Sequence, residues 1–388
     1  MRIGLIRRRH ALAGGAEQTV ARLAGEFVAR GHAVTVVAER WAAQLPVGVS
    51  RHVIPSLPGP EALRMLIFGL RAVREARGLT AEVVLTLDRT PGADVFRAGD
   101  GCHQAWLAAR ARALGLQARL REIVNPLHRA ILWLERRLLE ADDPPWVIAN
   151  SRMVRGDLLR YYRVPAERIT VIYNGVDSDH FRPPTAAQRT SARNALNVAT
   201  GDVVLLLVGS GFVRKGVASL VRAAGIIHAR APGARVRVLV VGRGRARPYL
   251  RLARENGLPP DAVRFLGPVS DVVMVYHASD VFVLPSLYDP CANVCLEAMA
   301  AGLPVVTSAT NGAAELVEGT AAEAILPDPL NAMGLADRLI PLLDADLRRT
   351  RGEAGRAVAG SLSHARMAEE TALVCERARD ERRSRAQG

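Results

Sequence analysis

Lysine is almost absent from this chain. Of 52 basic residues only Lys215 is a lysine, leaving 51 arginines against 38 acids and a net charge of +14. Arginine is a planar fork and lysine a compact, strongly hydrated point charge, so the two are not interchangeable. With arginine everywhere, a single arginine carries little information, and Lys215 stands out. Cysteine is scarce: four in 388 residues cannot build the disulfide framework of a small secreted domain. Free thiols in a reducing cytoplasm are expected. Aromatics make up 4%, and the charge is spread rather than gathered into a nucleic-acid module. Apolar runs such as residues 203–208 fall far short of the roughly 18 residues a membrane-spanning helix needs. Residues 3–6 are the apolar ones ahead of Arg7-Arg8-Arg9, too few for a secretory leader. A hydrophobic content of 49% excludes a disordered chain, and the length suits two domains.

Strand-like and helix-like segments alternate. Residues 2–6, 33–38, 82–87, 146–149 and 169–173 are short and apolar, several of them rich in β-branched side chains, the mark of strands buried on both faces of a parallel sheet. Between the first two, residues 17–30 place Val20, Leu23, Ala24, Phe27 and Val28 at helical spacing and stop at Gly31. After Pro183-Pro184 the alternation resumes, with strands over 203–208, 236–241, 262–266, 281–284 and 305–307. The reading is α/β, with parallel-sheet units over 1–182 and 183–360, a hinge near 182–202 and a charged helical end over 361–388.

Three stretches carry chemistry. Gly14-Gly15 lies between the first strand and first helix, where a ligand can approach the backbone and a helix N-terminus favours an anion. A plain tight turn has the same sequence. Gly209-Ser210-Gly211-Phe212-Val213-Arg214-Lys215-Gly216 follows a strand and opens a helix. Two cations at a helix start are unfavourable without an anion, which points to a diphosphate. No Ser or Thr follows Lys215, so this is not a Walker A loop. In the third, Asp289 and Glu297 flank a turn and helix start, with Pro290 expected near the first helical position and Asn293 one turn before Glu297 on one face. Glu297 suits a ribose diol and Asp289 the hydroxyls of a second sugar; the plainer alternatives are a surface carboxylate and an N-cap. Cys291 and Cys295 are two metal ligands short of a site and read as core thiols. Asp177-Ser178-Asp179 matches the D-x-D pattern of metal-dependent sugar transferases, but it follows Asn174-Gly175 and reads as turn chemistry.

The 209–216 loop, the acid pair at Asp289 and Glu297 followed by Gly302-Leu303-Pro304-Val305-Val306, and Gly14-Gly15 together resemble the family 4 retaining glycosyltransferases of GT-B fold. The family's E-x7-E spacing is kept, with Asp289 replacing the first glutamate. Gly92-Ala93-Asp94-Val95-Phe96, Asp100, Cys102, Gly31-His32 and Trp41 are similar to the lipopolysaccharide core glucosyltransferases within that family. The resemblance implies two Rossmann-like domains facing a central cleft: an N-terminal acceptor domain and a C-terminal nucleotide-sugar domain, with the last helix returning to the first. It implies a UDP-sugar donor, UDP-glucose above others, and a lipid-linked glycan acceptor, with neither metal nor cofactor. Gly14 and Gly15 would meet the diphosphate or acceptor, Gly211, Arg214 and Lys215 the donor diphosphate, Asn293 and Val294 the phosphates through their backbone, Val269 the base, Glu297 the ribose and Asp289 the hexose. Asp100 would act near the reacting carbon, with His103 on the acceptor side.

Residues 103–140 hold seven arginines against three glutamates, with Leu127, Ile131, Leu134 and Leu138 as a helical stripe and Trp106 and Trp133 nearby. Such a helix can lie on an anionic bilayer or pack on its own domain. With a lipid-linked acceptor, peripheral contact at the inner face of the plasma membrane is expected. Two other readings compete: a GT-B sugar-nucleotide epimerase, and a nucleic-acid-binding protein suggested by charge alone.

Overall fold

The computed structural model describes residues 1–10, 15–41, 44–115 and 121–387. Its strands are β1 (Arg2–Ile6), β2 (Arg9–His10), β3 (Ala33–Ala38), β4 (Arg40–Trp41), β5 (Val49–Val53), β6 (Val83–Thr86), β7 (Val95–Ala98), β8 (Trp146–Ala149), β9 (Ile169–Val171), β10 (Val203–Val208), β11 (Val236–Val241), β12 (Val263–Gly267), β13 (Val281–Leu284), β14 (Val305–Ser308) and β15 (Ile325–Leu326). The helices are α1 (Gly15–Ala29), α2 (Glu61–Gly78), α3 (His103–Leu114), α4 (Pro126–Leu139), α5 (Arg152–Tyr161), α6 (Ala186–Ala195), α7 (Val217–Arg230), α8 (Arg247–Glu255), α9 (Val272–Ala278), α10 (Asn293–Ala300), α11 (Ala332–Leu339), α12 (Ala345–Gly360) and α13 (His364–Gln387). Among the described residues no helix is long and apolar enough to cross a membrane.

The chain divides into two compact units, residues 1–175 with 364–388, and residues 176–363. The first division falls at 175/176 rather than 182/183. The Val176 amide donates to Leu362 O at 2.7 Å and Phe181 meets the edge of Tyr276, which ties residues 176–181 to the second unit.

The first unit is a seven-stranded parallel sheet ordered β5-β3-β1-β6-β7-β8-β9. The alternation of β1 shows why it is covered on both faces. Ile3 and Leu5 join Val20, Leu23 and Phe27 of α1 and Met367, Ala372 and Cys375 of α13 in one core. Ile6 points the other way, toward Phe68, Ala72 and Ala76 of α2. Each Val, Leu, Ile, Phe or Met side chain so removed from water contributes about 1.5–3 kcal/mol. Trp146 Nε1 donates to Glu381 on α13 at 2.8 Å, adding a polar tether to that apolar seam.

The second unit is a six-stranded parallel sheet ordered β12-β11-β10-β13-β14-β15, the doubly wound order with its switch point beside the first strand. Its central strands are the continuous apolar runs Val203–Val208 and Val281–Leu284. In such sheets, ligands bind beyond the carboxyl ends of the strands, so the loops after β10, β12 and β13 are the places to look.

Candidate functional site

In the second unit the residues expected at a donor site fall at carboxyl ends of strands. Residues 209–216 follow β10, Val269 lies two residues beyond β12, and Asp289 lies in the loop after β13. Two glycines shape the first loop. Gly216 has φ +73°, and a Cβ there would sit 2.0 Å from Pro285 O, a position closed to other residues. Gly209 lies under the Lys215 stem, and a Cβ would meet Lys215 Cε at 2.8 Å. Phe212 anchors the loop against Tyr249 and Phe265, and the Arg214 carbonyl accepts from the Leu287 amide at 2.8 Å. The sequence thus threads the stem of its sole lysine over a glycine and buries it.

Lys215 Nζ reaches Asp289 Oδ2 at 2.6 Å, and Arg214 Nη1 reaches the same oxygen at 3.0 Å. Lys215 and Asp289 are each 6% exposed. Burial by itself raises the Asp289 pKa, but the charges and hydrogen bonds of Lys215 and Arg214 outweigh it and hold the carboxyl below its usual value. The backbone fixes the carboxylate as well: the Asp289 amide donates to Thr310 O, and its carbonyl accepts from Gly312. Two cations expected at the diphosphate and an acid expected at the hexose therefore form one cluster, with Lys215 and Asp289 buried, Arg214 partly exposed and a formal surplus of one positive charge.

Helix α10 begins at Asn293, so Pro290 lies ahead of the first turn, and Ala292 rather than Asp289 is the N-cap. No side chain caps this end. Asn311 instead accepts from the Ala292 amide at 3.2 Å, and within the first turn the Cys295 amide donates to Ala292 O at 2.9 Å. Glu297 takes a different partner from Asp289: the Tyr276 hydroxyl donates to its Oε2 at 2.9 Å. Tyr276 is fully buried and its phenol pKa is raised by desolvation and by the Glu297 carboxylate. Cys291 and Cys295 are buried and unbridged; burial pushes the Cys295 thiol up to about 12, as expected of a core residue. Gly211 has φ +78°, and a Cβ there would meet nothing within 4 Å. Asp177 closes a turn, accepting from the His180 amide at 3.0 Å.

The first unit gathers a second polar group. Asp100 follows β7, and its Oδ2 accepts from Arg7 Nη1 at 3.0 Å, with Arg89 Nη1 at 3.6 Å. Arg89 is held from behind by the fully buried Glu135, which also accepts from the His103 amide and, at 2.6 Å, from Tyr162 Oη. His103 is the first residue of α3. Gly15 opens α1; Gly14 lies outside the described residues, as does Arg119 of the basic segment. In that segment Leu134 and Leu138 are buried and Leu134 abuts Gly69 of α2, so half the stripe packs on its own domain. Ile123, Val124 and Trp133 stay exposed, at 59%, 70% and 46%.

Several partners escaped sequence reasoning: Tyr276, Asn311, Arg7, Arg89 and Glu135. Asn311-Gly312 is a turn signal, and the others carry no local mark.

Family comparisons agree with this geometry. Residues 13–180 match the Glycosyltransferase Family 4 model and residues 202–345 the Glycosyl transferases group 1 model. The chain belongs to the family 4 glycosyltransferases. A D-inositol 3-phosphate glycosyltransferase of Corynebacterium aurimucosum is 32% identical over 56% of this chain and 54% of its own length, so this chain spans about half the length of that relative. Lipopolysaccharide glucosyltransferase WaaG of Escherichia coli is 24% identical over 82% of this chain and 83% of its own. A crystal structure of WaaG superimposes with a TM-score of 0.82 at 23% identity, covering 96% of this chain and 99% of that one. Anabaena HepE, solved in complex with UDP and glucose, gives 0.70 at 20% identity, covering 96% and 98%. These structural likenesses establish the GT-B fold for this family member.

Proposed function

We propose that this protein is a retaining, metal-independent glycosyltransferase that moves a hexose, glucose being the expected one, from a UDP-sugar to a lipid-linked glycan such as a lipopolysaccharide core. The observation that carries the reading is the convergence of Arg214 and Lys215 on Asp289, beyond the carboxyl end of β13. When the anomeric C–O bond of a nucleotide sugar breaks, negative charge grows on the departing diphosphate. Preorganised cations and helix amides stabilise that charge most when water is excluded. Arg214 and Lys215 meet this need without a divalent ion, and the N-terminus of α10 adds the positive end of its dipole. Asp289, held ionised by its cations, is an acceptor for hexose hydroxyls, and Glu297, steadied by Tyr276, is one for the ribose. Asp100 lies near the reacting centre in this reading and His103 on the acceptor side.

The names of the relatives support the donor and acceptor classes: WaaG is a lipopolysaccharide glucosyltransferase, and HepE was solved with UDP-glucose. The exposed Ile123, Val124 and Trp133 among arginines suit peripheral contact with an anionic membrane at the cytoplasmic face. Incubation with UDP-glucose and a lipid-linked core acceptor tests the reading. Acceptor-dependent UDP release that survives EDTA is expected. Donor isomerisation without acceptor identifies an epimerase instead, and loss of activity to EDTA restored by Mn²⁺ overturns the metal-independent mechanism.

A further inference from the structure

A chain of polar groups in the first unit is left over by this reading. Nε2 of His103 lies 3.0 Å from Nδ1 of His128 on α4. The other nitrogen of His128, Nε2, meets Oε2 of Glu122, in the helical turn over residues 121–124. Oε1 of Glu122 forms an ion pair with Arg110 Nε at 2.7 Å, two turns along α3 from His103. The chain is sheltered: His103 is 9% exposed, and the side chains of His128 and Glu122 are 18% and 11% exposed.

The order of donors along this chain follows from its end. A guanidinium only donates, and a carboxylate paired with it only accepts. His128 must therefore carry a proton on Nε2, facing Glu122. With the His128 ring neutral, its Nδ1 holds a lone pair and receives its bond from Nε2–H of His103. Burial, reinforced by the Arg89 charge, pulls the His103 pKa down to about 3, so that ring is neutral and its tautomer decides what it can do. Its Nδ1 keeps a lone pair and takes no protein partner among the described residues.

We propose that Glu122 and His128 are positioning residues that lock the proton of His103 on Nε2, so that Nδ1 is presented as an acceptor for a substrate hydroxyl alongside Asp100. The tautomer assignment stands on the geometry taken with a neutral His128 ring; that the hydroxyl belongs to a sugar rests on the glycosyltransferase reading. Fixing an imidazole's tautomer through a buried carboxylate is a recurrent way to set its direction of hydrogen bonding.

Imidazole ¹⁵N spectra of the full chain at about pH 8, above the ordinary imidazole range, read the tautomers without substrate. The wild-type protein is expected to carry the His103 proton on Nε2. Glu122→Gln reverses the order: Arg110 keeps the amide oxygen on its side, the amide NH₂ faces His128 Nε2, and the His103 proton moves to Nδ1. Turnover with UDP-glucose then falls about a hundredfold, with KM for the donor unchanged. A wild-type His103 protonated on Nδ1, or a Glu122→Gln spectrum with the wild-type tautomer, overturns the proposal. So does full turnover in a variant whose tautomer has reversed. Should Glu122→Gln fail to fold, His128→Phe replaces it: His103 is expected to become a mixture of tautomers, and a single Nε2–H form counts against positioning. If the wild-type protein transfers no sugar, the glycosyltransferase reading fails and the spectra alone decide the positioning.

Discussion

Asp289 shares one carboxylate oxygen between Lys215 Nζ at 2.6 Å and Arg214 Nη1 at 3.0 Å. In the proposed reaction a diphosphate would meet cations already oriented, and the arrangement would cost no reorganisation when charge develops. Lys215→Ala removes the more buried cation and leaves Asp289 with a partly exposed one. Turnover with UDP-glucose is expected to fall about a hundredfold or more. Breaking a buried pair from one side also destabilises by about 3–5 kcal/mol, so urea unfolding should show a weakened second unit. Lys215→Ala combined with Asp289→Asn recovers much of that stability and none of the turnover. Equal stability loss in the single and double variants contradicts the pairing.

The same carboxylate predicts a pH dependence. The folded-state pKa of Asp289 lies below its unfolded value, so the group stabilises the fold above about pH 4, the unfolded carboxylate range. That contribution is lost as pH falls through the folded value. Unfolding free energies measured from neutral to acid pH should fall less steeply in Asp289→Asn than in the wild-type protein over this window. Parallel curves would show that the carboxylate is not held down by its cations.

Much of the fold was legible because buried parallel strands are uninterrupted apolar runs. β3, β8, β10, β11 and β13 coincide with the runs expected for them. β5 was not legible: Val-Ser-Arg-His-Val is an edge strand largely open to solvent. β7 hides an arginine in the sheet, since Arg97 is 1% exposed and donates to Asn174 Oδ1 at 2.9 Å. The site was legible as motifs but not as a cluster. Lys215 and Asp289 are 74 residues apart, and no local pattern says that two such loops meet on one oxygen. The Tyr276 to Glu297 bond was invisible for the same reason: it joins α9 to α10 through tertiary packing.

Tyr276→Phe tests that bond. The ring still fills its buried place, and only the hydroxyl is lost, which donates to Glu297 at 2.9 Å and, more weakly, to Val294 O at 3.4 Å. A hydrogen bond to a charged group is worth about 1.5–3 kcal/mol. KM for UDP-glucose should rise roughly tenfold with kcat little changed, because a ribose contact is made equally in ground and transition states. A fall in kcat at constant KM would place Glu297 nearer the reacting bond than the ribose.

Membrane contact is tested on the exposed apolar group of the basic segment. Ile123, Val124 and Trp133 are replaced together by Ser, leaving the buried Leu134 and Leu138 untouched. Sedimentation with vesicles containing anionic lipid is expected for the wild-type protein and lost in the triple variant, with soluble-substrate turnover unchanged. Binding retained by the variant but abolished by salt would assign the contact to arginines alone.

Two glycines of the loop over residues 209–216 give the sharpest contrast. Gly216 and Gly211 share a left-handed φ, +73° and +78°, but a Cβ at Gly216 meets Pro285 O at 2.0 Å while one at Gly211 meets nothing within 4 Å. Alanine at Gly211 carries only the backbone cost of about 1–2 kcal/mol. Alanine at Gly216 adds a clash with a main-chain carbonyl that cannot rotate away, so the loop must move and carry Lys215 off Asp289. Thermal unfolding should show a modest loss for Gly211→Ala and a loss of several kcal/mol, roughly 3 or more, for Gly216→Ala. Turnover should follow the same order, because the cation pair is built on the backbone that Gly216 permits. If the two variants behave alike, the close approach to Pro285 is not what shapes the loop.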